Sequence, residues 1–339
     1  MLNPKPSAMN SFEYASPTDL DAAIGLLDST PGKVEILAGE TDLITSLKQG
    51  LTSPKRLVSL KAIPTLKGIG KSQNKGMEAI MIGAMTPLSD ILEHADIRKD
   101  YPSIIQAIEG IGSPQIINMG TIGGDLCQRP RCWYYRQGFG LLGQLDGKSL
   151  IPEGDNRYHA IFGNDGPAYF VSASVLGPPL VALGAVLEIA GAGSKTRQIP
   201  VGDFFRIPRS AEEREIFLLP SEVVTQIYIP AQARLNATYE VRQRQGLDWP
   251  LVTASVSLPA KGTSGKAEIV LGHVAPTPWR AAKAAALLDG KTPDKELAAK
   301  AADAAAEGAK PLSNNAYKVR LVRTAVKRAI LAATGNPTD

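Results

Sequence analysis

The chain has 339 residues, with 37 lysines and arginines against 33 aspartates and glutamates, a net charge of +4. Apolar residues make up 44% and charged residues 21%. That balance excludes a disordered chain and leaves material for two domains with real cores. Two cysteines exclude a disulfide framework and an all-cysteine four-ligand metal site. The slight, scattered positive excess gives no reason to expect nucleic acid as a partner.

The opening stretch Met1-Leu2-Asn3-Pro4-Lys5-Pro6 lacks the basic-then-apolar order of an export leader, and no run of about 18 apolar residues follows. The expectation is a cytoplasmic protein without membrane insertion. Ser16-Pro17-Thr18-Asp19 reads as a helix start, with Ser16 as cap, Pro17 at the first helical position and Asp19 completing a capping box. Leu20, Ala23, Ile24 and Leu27 then mark one helical face. Strands are predicted at Val34–Leu37, Arg56–Leu60 and Ile80–Gly83, with a short helix from Asp42 to Lys48 and another opened by Thr86-Pro87.

From Gly110 to about Pro179, glycine, proline, aromatic and basic clusters read as loops and short strands, a setting suited to a binding site. Strand-like alternation resumes at Leu180–Ile189 and Val223–Ile229, and Pro230–Asn236 reads as a linker. The last third contains strands at Val252–Leu258 and Ala267–Val274. Helical segments follow at Ala281–Leu288, Glu296–Ala306 and Ala316–Ala333, and the Ala-rich one reads as an amphipathic packed helix.

Two loops carry the chemistry. Leu37-Ala38-Gly39-Glu40-Thr41-Asp42-Leu43 joins a strand to a helix, where unpaired amides and a positive dipole end suit a phosphate. Gly39 would let an anion approach the main chain, and Thr41 adds a hydroxyl. In Asn118-Met119-Gly120-Thr121-Ile122-Gly123-Gly124-Asp125-Leu126, the paired glycines offer consecutive amides without a β-carbon, and Thr121 supplies a hydroxyl. Together the loops point to a dinucleotide. Neither has the GxGxxG of a nicotinamide-type site, and Gly143–Ser149 is too tightly spaced for a Walker loop.

Cys127-Gln128-Arg129-Pro130-Arg131-Cys132 provides two thiols, too few to close a metal site or a cluster alone. Arg129 and Arg131 would favour thiolates, but two reduced structural cysteines are the preferred reading. Trp133-Tyr134-Tyr135-Arg136 could wall a flat ring or simply pack, and His159 is expected to hydrogen-bond within the fold. No catalytic residue and no metal ligand are assigned.

At Thr121-Ile122-Gly123-Gly124-Asp125-Leu126-Cys127-Gln128-Arg129-Pro130-Arg131-Cys132-Trp133-Tyr134 the sequence resembles the FAD-binding (medium) subunit of the xanthine dehydrogenase family of molybdenum hydroxylases, closest to its aldehyde-oxidoreductase-like bacterial members. The likeness extends to 38–43, 82–84, 113–116, 156–163, 239–244 with Asp248, and 270–276. It implies an α+β fold: a vanillyl-alcohol-oxidase-type (PCMH-like) FAD-binding domain over 1–230, in subdomains of about 1–62 and 63–230. A small α+β domain of the CO-dehydrogenase-flavoprotein type would follow over 237–335.

The resemblance also implies that Leu37, Ala38, Gly39, Glu40, Thr41, Asp42 and Leu43, with Thr121, Gly123, Gly124 and Asp125, hold FAD. Partners would be a molybdopterin-binding large subunit and a small subunit with [2Fe-2S] clusters, and electrons would pass through FAD to an unknown acceptor. Co-export with a partner to the periplasm is compatible with it. Departures are Glu40 for a frequent glycine, Asp125 for asparagine, Ile117 for arginine, and Val175 for an aspartate that touches the cofactor in some members. With only Cys127 and Cys132 present, no [4Fe-4S] cluster is expected. The competing readings are a non-flavin scaffold with a degenerate pocket and a stand-alone flavin oxidase.

Overall fold

A computed structural model describes residues 9–244, 246 and 248–338. The stretch Met1–Pro6, on which the leader expectation rests, lies outside the described residues. The first strands, Glu13–Ala15, Val34–Leu37 and Arg56–Ser59, form a parallel sheet with Arg56–Ser59 in the centre. Parallel pairing requires crossovers, which the helices Leu20–Gly25 and Leu43–Lys48 provide. Asp19 is the cap of the first helix, its Oδ1 accepting the Ala22 amide at 2.8 Å, so the Ser16 cap expected from sequence is corrected. Starting the helix at Leu20 turns Ala23 and Ile24 into the core.

The second sheet is antiparallel and runs Ile69–Asn74, Met77–Gly83, Val223–Pro230, Val186–Gly191, Lys195–Pro200. Helices Leu88–Glu93, Ala95–Asp100, Pro102–Glu109 and Gly177–Ala182 bury Leu88, Ile91, Ile97, Ile104, Ile108 and Leu180 in the same core as Ile82, Leu187 and Ile227. A smaller cluster around Ala23, Val58, Leu66 and Val223 joins the first sheet to the second. Thr86 does not cap: its hydroxyl exchanges hydrogen bonds with both backbone groups of Gly68, at 3.0 and 3.1 Å. The stretch expected as loops holds the helices Pro114–Met119, Ile122–Cys127 and Trp133–Arg136. Each has four to six residues, too short for a helical period to show in sequence. Leu180 to Ala182, expected as strand, is helical behind Pro178 and Pro179.

The third sheet, Arg234–Val241, Val252–Pro259, Glu268–Gly272 and Trp279–Arg280, is an antiparallel meander. The expected linker shrinks to residues 231–233, because pairing with Val252–Pro259 begins at Arg234. Helices Ala282–Ala286, Lys295–Ala305 and Tyr317–Ala333 cover this sheet, the second presenting Ala298, Ala301, Ala302 and Ala305 to the core.

One earlier segment joins this unit. Ile161 and Phe162 lie in its core, and both amides donate to the Val274 carbonyl. Asn315 donates to the carbonyls of His159 and Ala160 at 3.1 and 3.4 Å, and Tyr317 to that of Arg157 at 2.8 Å. Lys318, 1% exposed, donates to the carbonyls of Tyr158 and His273 at 2.9 and 2.8 Å.

Burial pulls the Lys318 ammonium down to about 7. Unfolded, it would titrate near 10.4, so between these values the unfolded state holds the extra proton and stability at this site rises with pH. Lys318→Met is therefore expected to remove up to about 1.4 kcal/mol per pH unit of slope across pH 7–10. Urea unfolding of both proteins at several pH values reads this directly.

Candidate functional site

The two loops selected from sequence meet. Gly39 is buried, and a β-carbon built on it falls 2.0 Å from the Met119 carbonyl oxygen and 2.9 Å from Gly120 Cα. Glycine is required there for close approach. At Glu40 the backbone turns left-handed, φ 69°. From Gly39 to Leu43 no amide has an acceptor among the described residues, whereas Ile44 already bonds back to Glu40 at 3.4 Å. A run of unpaired amides through a left-handed turn is the arrangement that receives an anion.

Side chains around this run are directed elsewhere. Glu40 reaches Lys61, 2.5 Å away, so its carboxylate is paired and turned outward. Asp42, expected at the helix start, makes no cap. Its carboxylate instead accepts from the Arg129 amide at 2.8 Å, from Arg131 at 2.6 Å and from Arg136 at 2.9 Å. Thr41 is exposed, its hydroxyl open to a ligand.

The second loop differs from expectation. Thr121 is the cap of helix Ile122–Cys127, and its hydroxyl oxygen accepts the Gly124 amide at 3.1 Å. The Gly123 amide donates to the Ala84 carbonyl at 2.9 Å. Both glycine amides are thus paired within the protein, which corrects the exposed amides expected from sequence. Gly123 serves close packing, since a β-carbon there would meet the Ala84 oxygen at 2.8 Å. Gly124 is half-buried; a β-carbon there would crowd Thr121 Oγ1 at 3.0 Å and come within 4.0 Å of the Ala38 β-carbon, which sets it beside the first loop.

Asp125 is buried and accepts from Ser174 Oγ at 2.5 Å, from the amides of Val175 and Leu176 at 3.2 and 3.0 Å, and from Gln128 at 2.9 Å. Burial pushes its carboxyl up against those stabilising hydrogen bonds. Four donors suit an aspartate better than asparagine, whose amide nitrogen would face N–H groups. Val175 is 4% exposed and its side chain lies in the core, while Ile117 packs half-buried on that core.

Gln128, Arg131, Arg136 and Ser174 were not selected from sequence. Arg129 and Arg131 would favour thiolates by charge, but both cysteines are half-buried and desolvation outweighs that: Cys127 is pushed up to about 12 and Cys132 is raised, in keeping with the preferred reading of two reduced structural cysteines. Arg129 pairs with Glu215 at 3.3 Å and Tyr135 at 3.0 Å instead. Tyr135 lies beneath the guanidinia of Arg129 and Arg136. Trp133 meets Tyr134, Tyr158 and His159 edge-on, so this aromatic cluster packs on itself. His159 Nε2 lies 3.1 Å from Cys132 Sγ, and burial with nearby Lys318 lowers the imidazole to about 4. A recess of about 1040 Å³ lined by Lys71, Lys99, Tyr101, Gln106 and Arg234 lies away from both loops.

Residues 10–232 match the family of FAD binding domains in molybdopterin dehydrogenase, and residues 237–333 match the CO dehydrogenase flavoprotein C-terminal domain. The chain belongs to this family, the FAD-binding medium subunits of molybdenum hydroxylases, and is an α+β oxidoreductase flavoprotein subunit. It is 27% identical over 329 residues to the aldehyde oxidoreductase FAD-binding subunit PaoB of Escherichia coli, covering 96% of this chain and 99% of that protein. It is 29% identical to the carbon monoxide dehydrogenase medium chain of Hydrogenophaga pseudoflava, covering 95% and 96%. The solved carbon monoxide dehydrogenase of that organism, lacking the Mo-pyranopterin moiety, superposes with a TM-score of 0.73 over 97% of this chain and 99% of the other, at 27% identity. Among the described residues no helix is long and apolar enough to cross a membrane.

Two substitutions probe this geometry. Gly39→Ala forces the loops apart and is expected to weaken FAD binding more than tenfold, read by fluorescence titration of the flavin-free chain. Glu40→Gly relieves left-handed strain of about 1 kcal/mol and removes an exposed ion pair of small worth. It should bind FAD at least as tightly as the parent and melt no lower, by thermal denaturation with and without FAD.

Proposed function

We propose that the chain carries FAD as the electron-transferring medium subunit of a multi-subunit molybdenum hydroxylase. A molybdopterin-binding large subunit would oxidise the substrate and a small subunit with [2Fe-2S] clusters would feed this one. The observation that carries the reading is the run of free amides at Gly39–Leu43, in the part of the chain that matches the FAD-binding family. The proposed diphosphate site comprises that run and Thr121 to Asp125 facing it. The family likeness to aldehyde oxidoreductase and carbon monoxide dehydrogenase chains supports the partners.

The residues fit such a group. Free amides offer hydrogen bonds without adding charge. The nearby carboxylates are matched: Glu40 by Lys61, and Asp42 by Arg131 and Arg136. Without that pairing, two negative side chains beside a diphosphate would oppose its binding. Bound FAD would supply an isoalloxazine able to exchange electrons singly or in pairs, and the chain's part is to hold and orient it.

The purified chain is expected to show the paired near-ultraviolet and blue bands of a flavin, to release FAD on acid treatment, and to co-purify with the two partner subunits. A folded chain that stays colourless with added FAD would favour the degenerate scaffold instead.

A further inference from the structure

Arg131 lies between the loops. One guanidinium nitrogen donates to Asp42 Oδ1 at 2.6 Å, in the first loop. The other donates to Gln128 Oε1 at 2.9 Å, and Gln128 passes the connection on to Asp125 of the second loop at 2.9 Å. Asp125 in turn holds the amides of Val175 and Leu176. A continuous chain of hydrogen bonds therefore spans both loops and the turn behind them. The guanidinium also lies over the Trp249 ring, 4.8 Å from its centroid, on the segment before strand Val252–Pro259. Arg131 Nε is shielded from solvent and has no partner among the described residues.

We propose that Arg131 is a positioning residue for FAD: it sets the separation of the two loops and ties that separation to the C-terminal unit through Trp249. The inference rests on the flavin reading and adds a determinant of affinity outside both loops. A planar fork is needed, since one group must address Asp42, Gln128 and an aromatic face at once. Lysine can supply charge to one of these partners and not the set. Arg136 cannot substitute, because its nitrogens are committed to Pro130, Ser46, Asp42 and the Arg129 carbonyl.

The experiment compares the flavin-free wild type with Arg131→Met, Arg131→Lys, Gln128→Leu, Trp249→Leu and Trp249→Phe. Readouts are the FAD dissociation constant, the visible circular dichroism of bound flavin, and melting without flavin. Arg131→Met should weaken FAD binding tenfold or more and alter the visible dichroism. Arg131→Lys should recover part of the affinity without the native dichroism. Trp249→Leu should weaken binding several-fold, and Trp249→Phe should restore it. If Arg131→Met fails to fold, Gln128→Leu, which keeps the guanidinium, carries the test, with an expected loss of at least threefold. A folded Arg131→Met, or in its place a folded Gln128→Leu, with wild-type affinity and dichroism overturns the inference while leaving the flavin reading intact. A wild type that binds no FAD overturns the flavin reading itself and this one with it.

Discussion

The carboxylate of Asp42 receives one backbone amide and two guanidinia, all from the segment 129–136, far along the chain from the loop it belongs to. Half-buried ion pairs of this kind are costly to break from one side, because the partner left behind keeps its desolvated charge. The pairing draws the Asp42 side chain away from the amides preceding it, which leaves Gly39 to Leu43 without internal acceptors. It also anchors the short helix Trp133–Arg136 against the helix Leu43–Lys48, through Arg136 on Ser46. The first sheet, the loop and the basic segment thus hold one another in place.

Much of this framework was legible in sequence. The strand–loop–helix of residues 34–48 follows from apolar patterning, and the selection of both glycine loops follows from backbone chemistry. What the glycines do was legible only in part. Gly39 and Gly123 are needed because neighbouring carbonyls lie where a β-carbon would stand, and a neighbour from another segment cannot be read from local sequence. The one left-handed residue of the first loop is Glu40, a position that glycine would fill without strain.

The segment 110–179 was misread for a related reason. Its helices are short and start behind proline or a single Thr or Ser hydroxyl, so no repeating pattern announces them. The arginines illustrate the same limit. Their proximity to cysteine in sequence gave no hint of their partners, for in space Arg131 belongs to Asp42 and Arg129 to Glu215. Asp125 looked like a lost amide donor, yet it sits where four donors converge.

The stitching of residues 155–165 to the final helices bears on how the chain comes off the ribosome. Asn156 bonds to Ser313 and Asn314, Asn164 to the Lys310 carbonyl, and Lys318 closes over Tyr158, partners separated by about 150 residues. During synthesis this segment emerges long before anything it can pair with, carrying the apolar Ile161 and Phe162 exposed. Vectorial folding can complete the sheet whose last strand in sequence is Val223–Pro230, while residues 155–165 stay untethered until the last helix is made. A chain cut short before residue 310 would keep both of its loops while losing the clamp that holds residues 155–165.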